Sequence, residues 1–267
     1  MRSFRSSRLA VVGRAALISA PLLGFSCSSS DDTGTPPGDT GTTPFAARFE
    51  LPKTGAPDIL AVPFPSDLML APDGTIALKA GSPESPRGLD RIVPRSKGAK
   101  FVEEALARTH GFGTYAGSIF EVTGGAPDPS KLPTGKAGDC TTKDSPILFV
   151  DLDAAKALEC MAGYNDDALF GEESSDGGFL ARVLVVRTAR GVVVPEGHHV
   201  AVLLTSGVVA KEGGAPLTAS AQLVAIRDGA REGANEKLYG DAIDTAVAKI
   251  GIDKQRVVAA AVYTAGK

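Results

Sequence analysis

A side chain able to take up and release protons near neutral pH is most often an imidazole, and the chain has three, His110, His198 and His199. Serine hydrolysis needs more than a base: a nucleophile held on a strained turn, the histidine within hydrogen-bond reach, and a carboxylate to orient it. No G-x-S-x-G elbow occurs anywhere in the sequence. His110 closes a predicted helix, where a cation complements the helix dipole, and His198 and His199 fall in a turn between two predicted strands. All three read as cap or turn residues, so no residue is assigned a catalytic role.

Metal chemistry is constrained in the same way. His198 and His199 are neighbours, and adjacent residues on a strand point to opposite faces, so the two cannot chelate one ion together. Neither H-E-x-x-H nor a pair of C-x-x-C motifs is present. The stretch YNDDALFGEESSDGG collects Asp166, Asp167, Glu172, Glu173 and Asp176 with Asn165, the hard oxygen ligands that calcium takes. Its spacing is not that of an EF-hand, and a solvated acidic loop is the alternative reading. Asp151 and Asp153 are expected to share one face of a strand, as in any solvent-facing strand. The glycines of HGFGTYAG follow a predicted helix and precede a strand, the reverse of the order that aims a helix N-terminus at phosphate. No cofactor is implied beyond the calcium candidate.

Three cysteines complete the reactive side chains. Cys27 belongs to the N-terminal region. Cys140 and Cys160 are left as an even pair flanking one predicted strand, and a bridge between them is the favoured reading outside the cytoplasm, where exposed free thiols are oxidised. It closes a loop of about twenty residues and stabilises by roughly 3 kcal/mol on the chain-entropy view. Two unrelated buried thiols are the alternative.

The first residues determine where these groups work. Arg2, Arg5, Arg8 and Arg14 precede the uncharged run Ala15 to Phe25, which ends at Ser26 and Cys27. A basic region, a short apolar region and a small residue in that order form a secretory signal. The apolar run is too short for a hydrocarbon core about 30 Å thick, and Pro21 interrupts it. The segment LLGFSC resembles the lipobox of bacterial lipoproteins, which implies cleavage before Cys27 and a lipid on its thiol. The tail SSSDDTGTPPGDTGTTP has no hydrophobic residue and reads as a flexible tether. An ordinary secreted protein cut nearby, with Cys27 a free thiol, is the alternative.

The chain therefore divides into a signal peptide (1–26), a lipid-anchored linker (27–45) and a folded domain (46–267). Hydrophobic residues make up 43% of the chain, enough for a core. A net charge of −3, with no cluster of Lys and Arg, argues against a nucleic-acid partner. Trp is absent and aromatics are 6%, too few for a stacked carbohydrate platform.

Within 46–267, Pro72, Asp73 and Gly74 supply turn chemistry before a strand from Thr75 to Lys79. The apolar spacing over Ala99 to Arg108 predicts a helix. Strands are predicted over Ser118–Val122, Pro146–Asp153, Leu180–Thr188, Gly191–Val194 and Val200–Leu204, with turn residues between them. Helices follow over Ala219–Arg227 and Lys237–Ile250, stopped by Gly251. The last strand is Arg256–Tyr263. The pattern predicts a mainly β domain, an Ig-like β-sandwich with a few accessory helices.

The order of these segments resembles the N-terminal domain of bacterial virulence-factor lipases. VPFPSDLML with DGTIAL, THGFGTYAGSIFEV, DPSKL, PILFVDLD, RVLVVRTARGVVVPEGHHVAVLLTSGVVAKEGGAPL and GIDKQRVVAAAVYTAG carry the resemblance, over about Phe45 to Lys267. The part from Val193 to Leu217 is similar to bacterial Ig-like segments: Pro195 and Gly197 turn between strands, and Gly213 with Gly214 allows a tight hairpin. The resemblance implies an accessory module, because the G-x-S-x-G of such lipases lies in a second domain.

Three functions follow as expectations. The leading one is a non-catalytic cell-envelope lipoprotein, Ig-like, anchored to the outer membrane through Cys27, with a surface ligand or a downstream hydrolase domain as partner. The second is the N-terminal domain of a larger lipase or esterase whose catalytic part lies elsewhere. The third is a calcium-stabilised adhesion module.

Overall fold

The long β-branched and apolar runs between 147 and 264 become the central strands. In the computed structural model, residues 43–53, 57–58, 61–77, 108–165 and 182–266 are described. They form eight strands: β1 (Ala46–Ala47), β2 (Ser118–Thr123), β3 (Ile147–Asp151), β4 (Lys156–Leu158), β5 (Cys160–Asn165), β6 (Val183–Thr188), β7 (His199–Thr205) and β8 (Val257–Thr264). Two α-helices stand between the last two strands, α1 (Ala221–Arg227) and α2 (Ala234–Ile250). The protein is mainly β, with two antiparallel four-stranded sheets ordered β1-β2-β6-β5 and β4-β3-β7-β8.

Register is fixed by burial. In the second sheet Ile147 faces Leu204, and Val202 faces Ala261. Every residue of β3 is buried, as are all of β7 after His199 and all of β8 before Thr264. Successive side chains of a strand point to opposite faces, so unbroken burial means that both faces of this sheet are covered. Both helices pack on it. In the first sheet β2 alternates buried and half-buried along its length, the pattern of a sheet with one face on the core. Phe120, Val122, Leu184 and Val186 of that sheet join Leu148, Phe149, Val202 and Val262 of the other in a single hydrophobic core.

Local chemistry explains the helices. The Ser220 hydroxyl accepts the Leu223 N–H at 3.2 Å and starts α1. In α2, Tyr239, Ala242, Ile243 and Ala246 are the buried stripe at helical spacing. Gly251 ends α2 in the left-handed region at φ 73°, as the sequence predicts. The helix begins three residues earlier than the apolar spacing starts, because Glu236 turns back to accept the Gly233 N–H. Buried Arg227 donates to the carbonyls of Gln255 at 2.9 Å and Val257 at 3.2 Å, tying α1 to the start of β8.

Several sequence expectations change. Gly191–Val194 is not a strand: the Val192 N–H bonds back to Ala189 in a turn, and that of Val194 reaches Thr114. Two strands, β3 and β4, lie between the cysteines where one was expected, and β5 starts at Cys160 itself. The glycine hairpin does form. Gly213 and Gly214 take φ 72° and 63°, and the Ala210 N–H closes it on the Ala215 carbonyl at 2.8 Å. The helix expected over 99–108 lies outside the described residues but for Arg108.

Candidate functional site

Among the described residues, the densest group of chemically versatile side chains sits at one end of the second sheet. β3 runs out at Asp151 opposite the beginning of β7. The chain then turns through 152–155, with Ala155 left-handed at φ 54°, before returning as β4. Asp151 closes that turn: one carboxylate oxygen accepts the N–H groups of Asp153 at 3.1 Å and Ala154 at 2.9 Å. Asp153 is therefore a turn residue, and Asp151, with its side chain 2% exposed, is buried. The two do not share the solvent face of a strand.

The segment entering β7 supplies the histidines. His198 Nδ1 lies 3.0 and 2.8 Å from the two oxygens of Asp151, 47 positions away in sequence. The His199 backbone N–H donates to Asp153 Oδ2 at 2.6 Å, and its Nδ1 lies 3.0 Å from the same oxygen. These contacts hold the Asp153 carboxyl below the usual carboxylate range, the His199 N–H first among them, with burial opposing. The two imidazoles go to different carboxylates, so they do not share one ion. One ligand atom each from Asp151, Asp153 and His198 nonetheless lie within 4.8 Å of one another.

A third carboxylate stands nearby. Asp67 accepts the backbone N–H of Thr264 at 2.6 Å and its hydroxyl at 2.8 Å, and Thr264 is the β8 partner of His199. Burial raises the Asp67 carboxyl, and the Thr264 bonds oppose it without cancelling it. Among the described residues, no Lys or Arg forms an ion pair with Asp67, Asp151 or Asp153. No hydroxyl or thiol bonds either imidazole among those residues, so a nucleophile–base relay is not assembled.

The other candidates are dispersed. Cys140 and Cys160 form a disulfide with Cα atoms 5.5 Å apart, and both are buried. Cys27 lies outside the described residues, as do Asp166, Asp167, Glu172, Glu173 and Asp176. His110 is exposed and pairs in a β-bridge with Thr75. A cavity of about 600 Å³ beside the first sheet is lined by residues including Thr123, Gly125, Arg182 and Lys211, and the histidine cluster takes no part in it. No helix among the described residues is long and apolar enough to cross a membrane.

No family model, curated protein or solved structure matches the chain. The chemistry of the cluster rests on its own geometry. Sequence reasoning set the histidines against each other and missed them as partners of Asp151, at the end of β3, and Asp153, in the turn after it. The available signal was their place at the head of a long apolar strand, which must pair with another such strand.

Proposed function

We propose that the chain is a non-catalytic module of the bacterial cell envelope. It is cut before Cys27, held at the outer membrane by a lipid on that residue, and spaced from the membrane by the tether at 27–45. The observation that carries this reading is the Cys140–Cys160 disulfide, since such bonds persist in oxidising compartments and are rare in the cytosol. The N-terminal order of basic residues, apolar run and LLGFSC supports the same destination. We read the two antiparallel sheets and their common core as an Ig-like sandwich on which α1 and α2 are additions.

Metabolic labelling with a fatty-acid analogue tests the anchor. The wild type takes the label and Cys27→Ala does not; equal labelling of both would refute the proposal.

One observation favours a second reading, the N-terminal domain of a larger lipase or esterase. The segment VPFPSDLML, which carries part of the lipase-type resemblance, is built deeply into the fold. The Ser66 hydroxyl bonds the Tyr239 hydroxyl at 2.8 Å, and Asp67 holds Thr264. A reading frame that continues past Lys267 into a G-x-S-x-G supports this reading, and a stop codon there removes it.

A further inference from the structure

We propose that Asp151, Asp153 and His198 form a binding site for a borderline divalent cation, with Zn²⁺ the best fit. None of these three residues belongs to the N-terminal region or to the acidic stretch at 166–176. Its first support is convergence. Two oxygen donors from the end of β3 and the turn after it, and one nitrogen donor from the segment entering β7, lie within 4.8 Å of one another. Two ligands at ordinary zinc bond lengths sit about 3.0 to 3.4 Å apart around the ion. His198 Nδ1 lies 2.8 and 3.0 Å from the Asp151 oxygens. Between His198 and Asp151 an ion thus needs a spreading of a few tenths of an ångström, while Asp153, which lies within 4.8 Å of both, closes in to complete the set.

The second support is the uneven quality of the contact it replaces. A single N–H on Nδ1 cannot point straight at both oxygens of Asp151, yet it is nearly equidistant from them. The third is charge. Two neighbouring carboxylates, one of them buried, have no Lys or Arg partner among the described residues, and a third, Asp67, stands close by. A divalent ion neutralises the pair that holds it.

The surroundings are those of a supported ligand set. Backbone N–H groups of Asp153 and Ala154 fix the Asp151 carboxylate, and the N–H and imidazole of His199 fix Asp153. Outer partners of this kind orient ligating carboxylates in metal sites. His199 is then a positioning residue. Asp153 and His198 are partly open to solvent, which leaves an entry path and room for water as remaining ligands. The ion takes the Nδ1 lone pair of the neutral imidazole, whose one proton then sits on Nε2. A nitrogen donor and only two carboxylates suit zinc better than calcium, which takes six to eight oxygens.

The test is calorimetric titration of the purified, EDTA-stripped chain with Zn²⁺, alongside circular dichroism of each variant. One equivalent binds the wild type. Affinity falls at least about tenfold in His198→Gln and in Asp153→Asn, and less in His199→Ala. Millimolar calcium does not compete. No binding to the wild type, wild-type affinity in either of the first two variants, or displacement by calcium overturns the proposal. Should either variant fail to fold, nitrogen NMR of the wild-type imidazoles decides: zinc shifts the His198 Nδ1 resonance, and an unmoved resonance refutes the site.

Discussion

The two sheets have the same number of strands and are held in different ways. β3, β7 and β8 are closed to solvent on both faces, with helices on one side and the common core on the other. In the first sheet β2 buries one face, and its edge strand β5 buries fully only Cys160. The second sheet is stabilised by packing, while the edge of the first is secured by a covalent bond. The difference also sorts the polar groups. At the end of the second sheet they are few and hydrogen-bonded, whereas the first borders a solvent-open cavity with Arg182 and Lys211 on its wall.

The largest expected effect is on the covalent side. Replacing Cys160 by Ser, with Cys140→Ser to avoid a stray thiol, costs about 3 kcal/mol for a bridge spanning 20 positions. Denaturant unfolding measures the loss. Hydrogen exchange of β5 should rise before that of β7; equal acceleration of both would erase the distinction between the sheets.

One substitution made in both sheets isolates packing. Val202→Ala, at a fully buried position of β7, costs about 2 kcal/mol from lost transfer and a cavity. Val185→Ala, at a half-buried position of β6, costs under about 1 kcal/mol. Similar losses in the two variants contradict unequal burial.

The polar end of the second sheet gives a smaller contrast. Asp151→Asn keeps one oxygen for the backbone N–H groups but sets its NH2 against the His198 Nδ1 that the second carboxylate oxygen met, at a cost of about 1 to 2 kcal/mol. Asp153→Asn, on the exposed side, costs well under about 1 kcal/mol. Thermal melts of the two at one pH check the order.

The smallest effect is a slope. Burial raises the folded-state pKa of Asp67, so the unfolded chain ionises first as pH rises. Wild-type stability therefore falls relative to Asp67→Asn as pH climbs from the ordinary carboxylate range through the raised value. Parallel stability profiles would show that Thr264 cancels the burial.

Much of this fold is legible in the residues, because VLLT in β7 and VVAAAV in β8 are short apolar runs with the length and valine content of buried strands. β4 and β5 are not legible. KAL is too short for a period, and CMAGYN has neither β-branched residues nor alternation, so these strands exist through their partners β3 and β6. Gly191–Val194 fails in the opposite direction: three valines have strand propensity but no partner strand among the described residues. The site is split likewise. The disulfide is legible as the even pair of cysteines left once Cys27 is set aside. The Asp151–His198 contact joins positions 47 apart, and only the pairing of β3 with β7 brings them together.

The most direct test of the central claim is the intact mass of the protein recovered from its native membrane fraction, with and without reductant. A chain beginning at Cys27, carrying lipid mass, and gaining two hydrogens when Cys140 and Cys160 are reduced is the predicted result. A chain that still begins at Met1, with no lipid and three free thiols, contradicts it.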